Sequence, residues 1–204
     1  MDHAFQCCRA LVVARHDDMR DLWCDLYTQA GSWAVAEQAV AELRREDVVR
    51  ADIRVREGAS IPLRYCDVVI THPIHWCQTA WRGRGPAVAV GAAERDKLRD
   101  YRAGPAGQEV LVTPLAFETG GRWGPAAARE VRRLARKRAT GPQAAAAVNP
   151  ESLYRASLTR WRREISVALQ VANAEILLES VGRVARATGP APAADTWDLV
   201  PDAH

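Results

Sequence analysis

The chain has 204 residues, enough for one domain of ordinary size, and 48% of them are hydrophobic, which provides for a core and excludes wholesale disorder. The net charge of +3 is too mild to single out a nucleic-acid partner by itself. Lys97 and Lys137 are the only lysines among 28 basic residues. So Arg-rich a composition most simply reflects a GC-rich coding sequence, and it poses the question of what an ammonium does at those two positions.

Residues 1–16 mix Cys and His with a short apolar stretch and show no clear periodicity. From Asp17 the apolar positions Met19, Leu22, Trp23, Leu26 and Tyr27 recur at helical spacing, with Asp17 as the N-cap and Gly31 as the stop. Residues 33–40 read as a strand that contains Glu37, and 50–56 as a half-buried strand in which Ile53 and Val55 alternate with charged residues. A turn through Glu57, Gly58, Ala59 and Ser60 leads into 65–71, the clearest central strand of the chain.

A loop with Pro73, Trp76 and Trp81 follows, then a helix over 87–102 stopped by Gly104 and Pro105. The apolar run 109–118 is a further strand, placed at an edge or bend by Pro114. Pro125 opens a helix to about residue 139. A linker over 140–150 precedes a long helix over 151–187, and the Pro-, Ala- and Asp-rich tail 188–204 is expected to be disordered. The order helix, three strands, helix, strand, helix is a mixed α/β layout. No apolar run approaches the length of a transmembrane helix. Five cysteines (Cys7, Cys8, Cys24, Cys66, Cys77) without a secretory signal predict free thiols in a reducing, intracellular compartment.

The chemistry concentrates on two aspartates. Asp52 and Asp67 stand on successive strands, with fourteen residues between them. If the strands pair, both carboxylates meet at one end of a sheet and offer Mg²⁺ (or Mn²⁺) the hard oxygens it prefers. Asp67 lies in a run, Cys66 to Ile70, that looks buried on both faces, where a carboxylate is costly unless paired or metal-bound. Glu37 is a further carboxylate for the same ion. On the next helix Lys97, with Tyr101 four residues later on the same face, could position or deprotonate a water, or stabilise charge on phosphorus.

These positions, Arg50-Ala51-Asp52, Asp67 and Lys97-Leu98-Arg99-Asp100-Tyr101, resemble the restriction-like endonuclease domain at the C-terminus of site-specific non-LTR retrotransposon proteins, a branch of the PD-(D/E)XK superfamily. That family's motif is a basic residue, Pro and Asp, then twelve to fourteen residues to Asp or Glu, with its lysine moved to the following helix. Segments 16–21, 113–124 and 166–174 are similar to other parts of the domain in the same order, so the likeness spans roughly residues 2 to 178. Ala51 stands where the family prefers Pro. The resemblance implies a restriction-endonuclease-like core over 17–139, a Mg²⁺-dependent nicking activity, DNA or RNA as partner, and a nuclear location. Catalysis would fall to Asp52, Asp67, Lys97 and Tyr101. Family members carry a reverse transcriptase ahead of this domain; none accompanies it here, so a detached fragment, a decayed element or a standalone derivative is expected.

The family also places a zinc knuckle before the nuclease, and residues 2–7 resemble its second half. Zinc at a structural site takes four N or S ligands. His3, Cys7 and His16, with Cys8 as a fourth, are the candidates, and 1–16 is read as the remnant of such a knuckle. Arg122, Arg129, Arg132, Arg133, Arg136 and Lys137 form a basic stretch suited to DNA phosphates, and Arg160, Arg162 and Arg163 a second patch. Two other functions fit the same residues: a catalytically inactive nucleic-acid-binding fragment of this fold, and an α/β scaffold whose long helix pairs with a protein.

Overall fold

The computed structural model describes residues 8–44, 48–58, 60–73, 88–102, 111–142, 144 and 149–188, without the side chains of 37–44, 48–50, 102 and 188. In chain order these hold α1 (Arg9–Gln29), β1 (Trp33–Arg44), β2 (Val48–Arg56), β3 (Arg64–Thr71), α2 (Val88–Arg102), β4 (Val112–Glu118), α3 (Pro125–Thr140) and α4 (Pro150–Thr188). The layout is mixed α/β: four helices and one four-stranded sheet among the described residues.

The sheet runs in the order β1-β2-β3-β4. The first three strands are antiparallel neighbours, whereas β4 returns through α2 to lie parallel to β3. Pro114 pairs with Asp67 on β4, the last strand of the sheet, where a residue without an N–H costs no ladder bond on the open side. The two faces of β3 divide the work. Cys66 and Val68 join one large core with Ile53, Val55, Leu115 and Phe117, covered by α1 (Met19, Trp23, Leu26), α3 (Val131, Leu134) and α4 (Trp161, Ile165, Leu169). Tyr65 and Asp67, alternating with them, meet Tyr101 of α2 instead.

Three expectations change. Helix α1 begins two turns earlier than Asp17, at Arg9, and Asp17 lies inside it, bonded to Arg20 Nη1 at 3.0 Å. Arg15 hid the extra turns: it continues the inward row Met19, Trp23, Leu26, yet reads as polar because only Asn173 Oδ1 on α4, 2.8 Å away, makes its burial tolerable. Strands β1 and β2 both run longer than expected, with a register irregularity between Ala39 and Arg44. Helix α4 is long and apolar enough to cross a membrane by length and composition, its best window reaching a mean hydropathy of 1.2, against the expectation of no such run. Along it Trp161, Ile165, Leu169 and Ile176 are buried, while Val167, Val171, Leu178 and Val181 are exposed.

Candidate active site

The antiparallel register of β2 and β3 pairs Ile53 with Cys66; carried one residue further it sets Asp52 across from Asp67. At that point β2 leaves the ladder. The N–H of Val68 bonds to the carboxylate of Asp52 at 2.6 Å, so a side chain takes the place of a strand carbonyl. The two carboxyl groups thus come within hydrogen-bonding reach of each other.

Helix α2 supplies the compensating groups. Glu94, Lys97 and Tyr101, at i, i+3 and i+7, share one face of the helix. Lys97 Nζ lies 2.9 Å from Asp67 Oδ2, and the Tyr101 hydroxyl donates to the same oxygen at 2.9 Å. Glu94 anchors the other end by accepting the N–H of Ala126 at 2.8 Å, in the first turn of α3, where unpaired backbone donors favour an anion. Gly124 leaves it room, since a Cβ there would stand 2.2 Å from Glu94 Oε1. Two tertiary contacts therefore fix the helix that carries Lys97. Ala51, next to Asp52 on β2, is buried against Tyr65 and Tyr101.

Helix α1 adds a further member. His16 Nε2 lies 3.0 Å from Asp52 Oδ2, and its Nδ1 lies 3.3 Å from Asp17 Oδ1. Both ring nitrogens thus face acceptors. Hydrogen bonding to Asp52 outweighs burial and lifts the imidazole to about 9. Burial alone would raise Asp52, but bonds from His16 and Asp67 hold it below the usual carboxylate range. Asp67 is pushed the other way, to about 6, by burial first and then by Asp52, against the pull of Lys97. Burial followed by the Asp67 charge keeps the Tyr101 hydroxyl well above its ordinary value, so it remains a donor.

The remaining expected residues are placed differently. Ala36 pairs with Ile53 and Gln38 with Ala51, which puts Glu37 across from Asp52 in the register, but its side chain is outside the described residues. His3 and Cys7 are also outside them, as are Trp76 and Trp81. Cys8, at the head of α1, is buried with its Sγ 3.6 Å from Ser180 Oγ. Of the basic stretch, Arg129, Arg132 and Arg136 form an exposed row on α3, and Arg136 also sits over the Tyr154 ring. Arg122 is exposed and pairs with Glu118. Arg133 turns to Glu57 and Glu130 at 2.5 and 2.8 Å, and Lys137 donates to Ser32 at 2.6 Å.

Behind Asp67, on the opposite face of β3, a second polar group is buried. Tyr27 donates to Glu130 at 2.5 Å and touches Cys66 Sγ at 3.0 Å, while Arg64 and Arg133 neutralise Glu130. Burial, then Glu130, drives the Cys66 thiol up to about 12, so it stays protonated.

The donor set suits one hard cation. The bonds from Val68, His16, Lys97 and Tyr101 all fall on Oδ2 of one aspartate or the other, and the Oδ1 atoms stay outside these bonds. Mg²⁺ commonly takes one or two carboxylates and fills its remaining positions with water and phosphate oxygens. Among the described residues no group of three or more His, Cys, Asp and Glu side chains is arranged to hold a metal, so there the aspartate pair stands without a third such ligand. Comparison with protein-family models and with curated proteins finds no match for this chain.

Proposed function

We propose that this chain is a metal-dependent DNA endonuclease that nicks one strand, built on a restriction-endonuclease-like core of the kind carried by site-specific non-LTR retrotransposons. The observation that carries it is the meeting of Asp52 and Asp67 at the fork between β2 and β3, with Lys97 and Tyr101 both on Asp67. The buried Asp67 carboxylate is disfavoured as an anion first by burial and then by the half-buried Asp52 beside it. A divalent cation between them would relieve that repulsion.

Asp52 and Asp67 would hold the Mg²⁺ or Mn²⁺. When bound, the ion polarises the phosphoryl oxygen, favours loss of a proton from the attacking water and neutralises the leaving oxygen. Lys97 brings positive charge to the spot where negative charge builds on the phosphorane. Tyr101 keeps its proton and holds Asp67 in place. Water adds to phosphorus, the bond to the leaving oxygen breaks, and that oxygen takes up a proton. Arg129, Arg132 and Arg136 offer a cationic row for the duplex backbone.

Incubation with supercoiled plasmid in Mg²⁺ or Mn²⁺ tests this reading. Open circles should accumulate with the parent chain and not with Asp67→Asn, while both bind DNA alike. Equal nicking by the two would remove the assignment. A second reading is a non-catalytic nucleic-acid-binding fragment, because His16, Lys97 and Tyr101 already satisfy both Oδ2 atoms without an ion. Salt-sensitive DNA binding without nicking in Mn²⁺ would select it.

A further inference from the structure

The catalytic reading leaves His16 without a task. It stands on a different element from every other member of the site, on α1 rather than on the sheet or α2, and among the described residues it joins Asp67 in contacting the Asp52 carboxylate. Its ring is held from both sides, by Asp17 through Nδ1 and by Asp52 through Nε2. The helix beneath it is anchored one residue earlier, where Arg15 bonds to Asn173 of α4.

We infer that His16 is a positioning residue for Asp52, holding its carboxylate in the rotamer that faces Asp67 and so setting the cation affinity of the pair. The inference rests on Asp52 and Asp67 being cation ligands. A carboxylate has two oxygens and a soft terminal torsion. Val68 N–H alone fixes one oxygen, and the plane can still turn about that bond. A second donor on the same oxygen, arriving from α1, stops the turn and leaves Oδ1 directed by default. Lys97 and Tyr101 do the same for Asp67, so each aspartate receives two donors on Oδ2. The symmetry is functional: partners behind a ligating carboxylate fix its direction, and their removal typically weakens metal binding by about 10–100-fold.

Mn²⁺ binding to the full chain, followed by calorimetry and by the electron paramagnetic resonance of the bound ion, tests this without any cleavage assay. Three substitutions separate the donor from the bulk: His16→Gln places an amide N–H within reach of Asp52, His16→Asn carries the same group one methylene short, and His16→Leu fills the space with no donor. Thermal unfolding is recorded for each, and Asp67→Asn serves as the ligand control. Expected are tight binding by the parent, none by Asp67→Asn, a loss of about 10–100-fold in His16→Leu and His16→Asn, and recovery in His16→Gln. The spectrum of the residual Mn²⁺ should change in the first two variants and match the parent in the third. Should His16→Leu not fold, His16→Asn against His16→Gln carries the same comparison. Unchanged or tighter binding in the variants without a donor would overturn the role of His16 and leave the aspartate site standing. Parent and Asp67→Asn binding alike, or neither binding, would overturn the aspartate site itself and this inference with it.

Discussion

Lys97 Nζ lies 2.9 Å from Asp67 Oδ2, so a half-exposed ammonium on α2 faces a buried carboxylate on β3. Lys97→Met takes that charge away and keeps the length of the side chain. Nicking should fall at least tenfold, and urea unfolding at pH 8 should show a loss of about 1–3 kcal/mol, the cost of a buried acceptor that has lost a charged donor.

Asp67→Asn should raise stability while it abolishes cleavage. The folded Asp67 is lifted to about 6 from an ordinary value of 3.8, so the fold works against its ionisation. That cost begins as pH rises past 3.8 and is complete above about 6. An amide bears none of it. Melting at pH 4 and pH 8 checks the sign: the variant should gain on the parent as pH rises.

The imidazole of His16 gives the opposite kind of group, a base held protonated to about 9 from 6.5. Its stabilisation is complete below pH 6.5 and is lost as pH climbs through 9. The melting temperature of the parent should therefore decline over that window, and His16→Gln should flatten the decline. An identical slope in both proteins counts against the Asp52 contact.

Neighbouring arginines on α3 should part company. Arg133 grips Glu57 and Glu130, and Arg133→Ala should cost about 1–3 kcal/mol in urea unfolding. Arg132 is exposed, and Arg132→Ala should stay within about 0.5 kcal/mol of the parent. It should instead lower the slope of log DNA affinity against log salt by about one.

Trp161→Ala should cost about 3–5 kcal/mol, the range for emptying a large aromatic from a packed core. The indole is fully buried, donates to Gln29 Oε1 at 3.0 Å and lies beneath Arg138. Loss of α1 and α3 packing together with α4, in a single transition, is the expected signature in chemical unfolding.

The strands bearing Asp52 and Asp67, and the helix bearing Lys97 and Tyr101, were legible because alternation and helical spacing are properties of neighbouring residues. Their convergence followed from pairing two adjacent strands. His16 was visible as a residue but not as a partner of Asp52, because the buried Arg15 masked the first turns of α1 and left the histidine with the supposed zinc remnant. Glu94 gave no signal at all. A lone carboxylate in a helix takes on meaning only where the start of α3 lands. Arg133 and Lys137 looked like the rest of their basic run, and only the placement of Glu57, Glu130 and Ser32 distinguishes them from Arg132.

The Asp52 carboxylate that receives the Val68 N–H completes bonding within the sheet, whereas burial and Asp52 oppose the ionisation of Asp67. A lineage released from selection for cleavage would thus discard the two unequally. Neutral replacements at 67 would spread first because they relieve the fold, while 52 would persist long after activity had gone. The aspartate that outlasts function is the poorer witness to it.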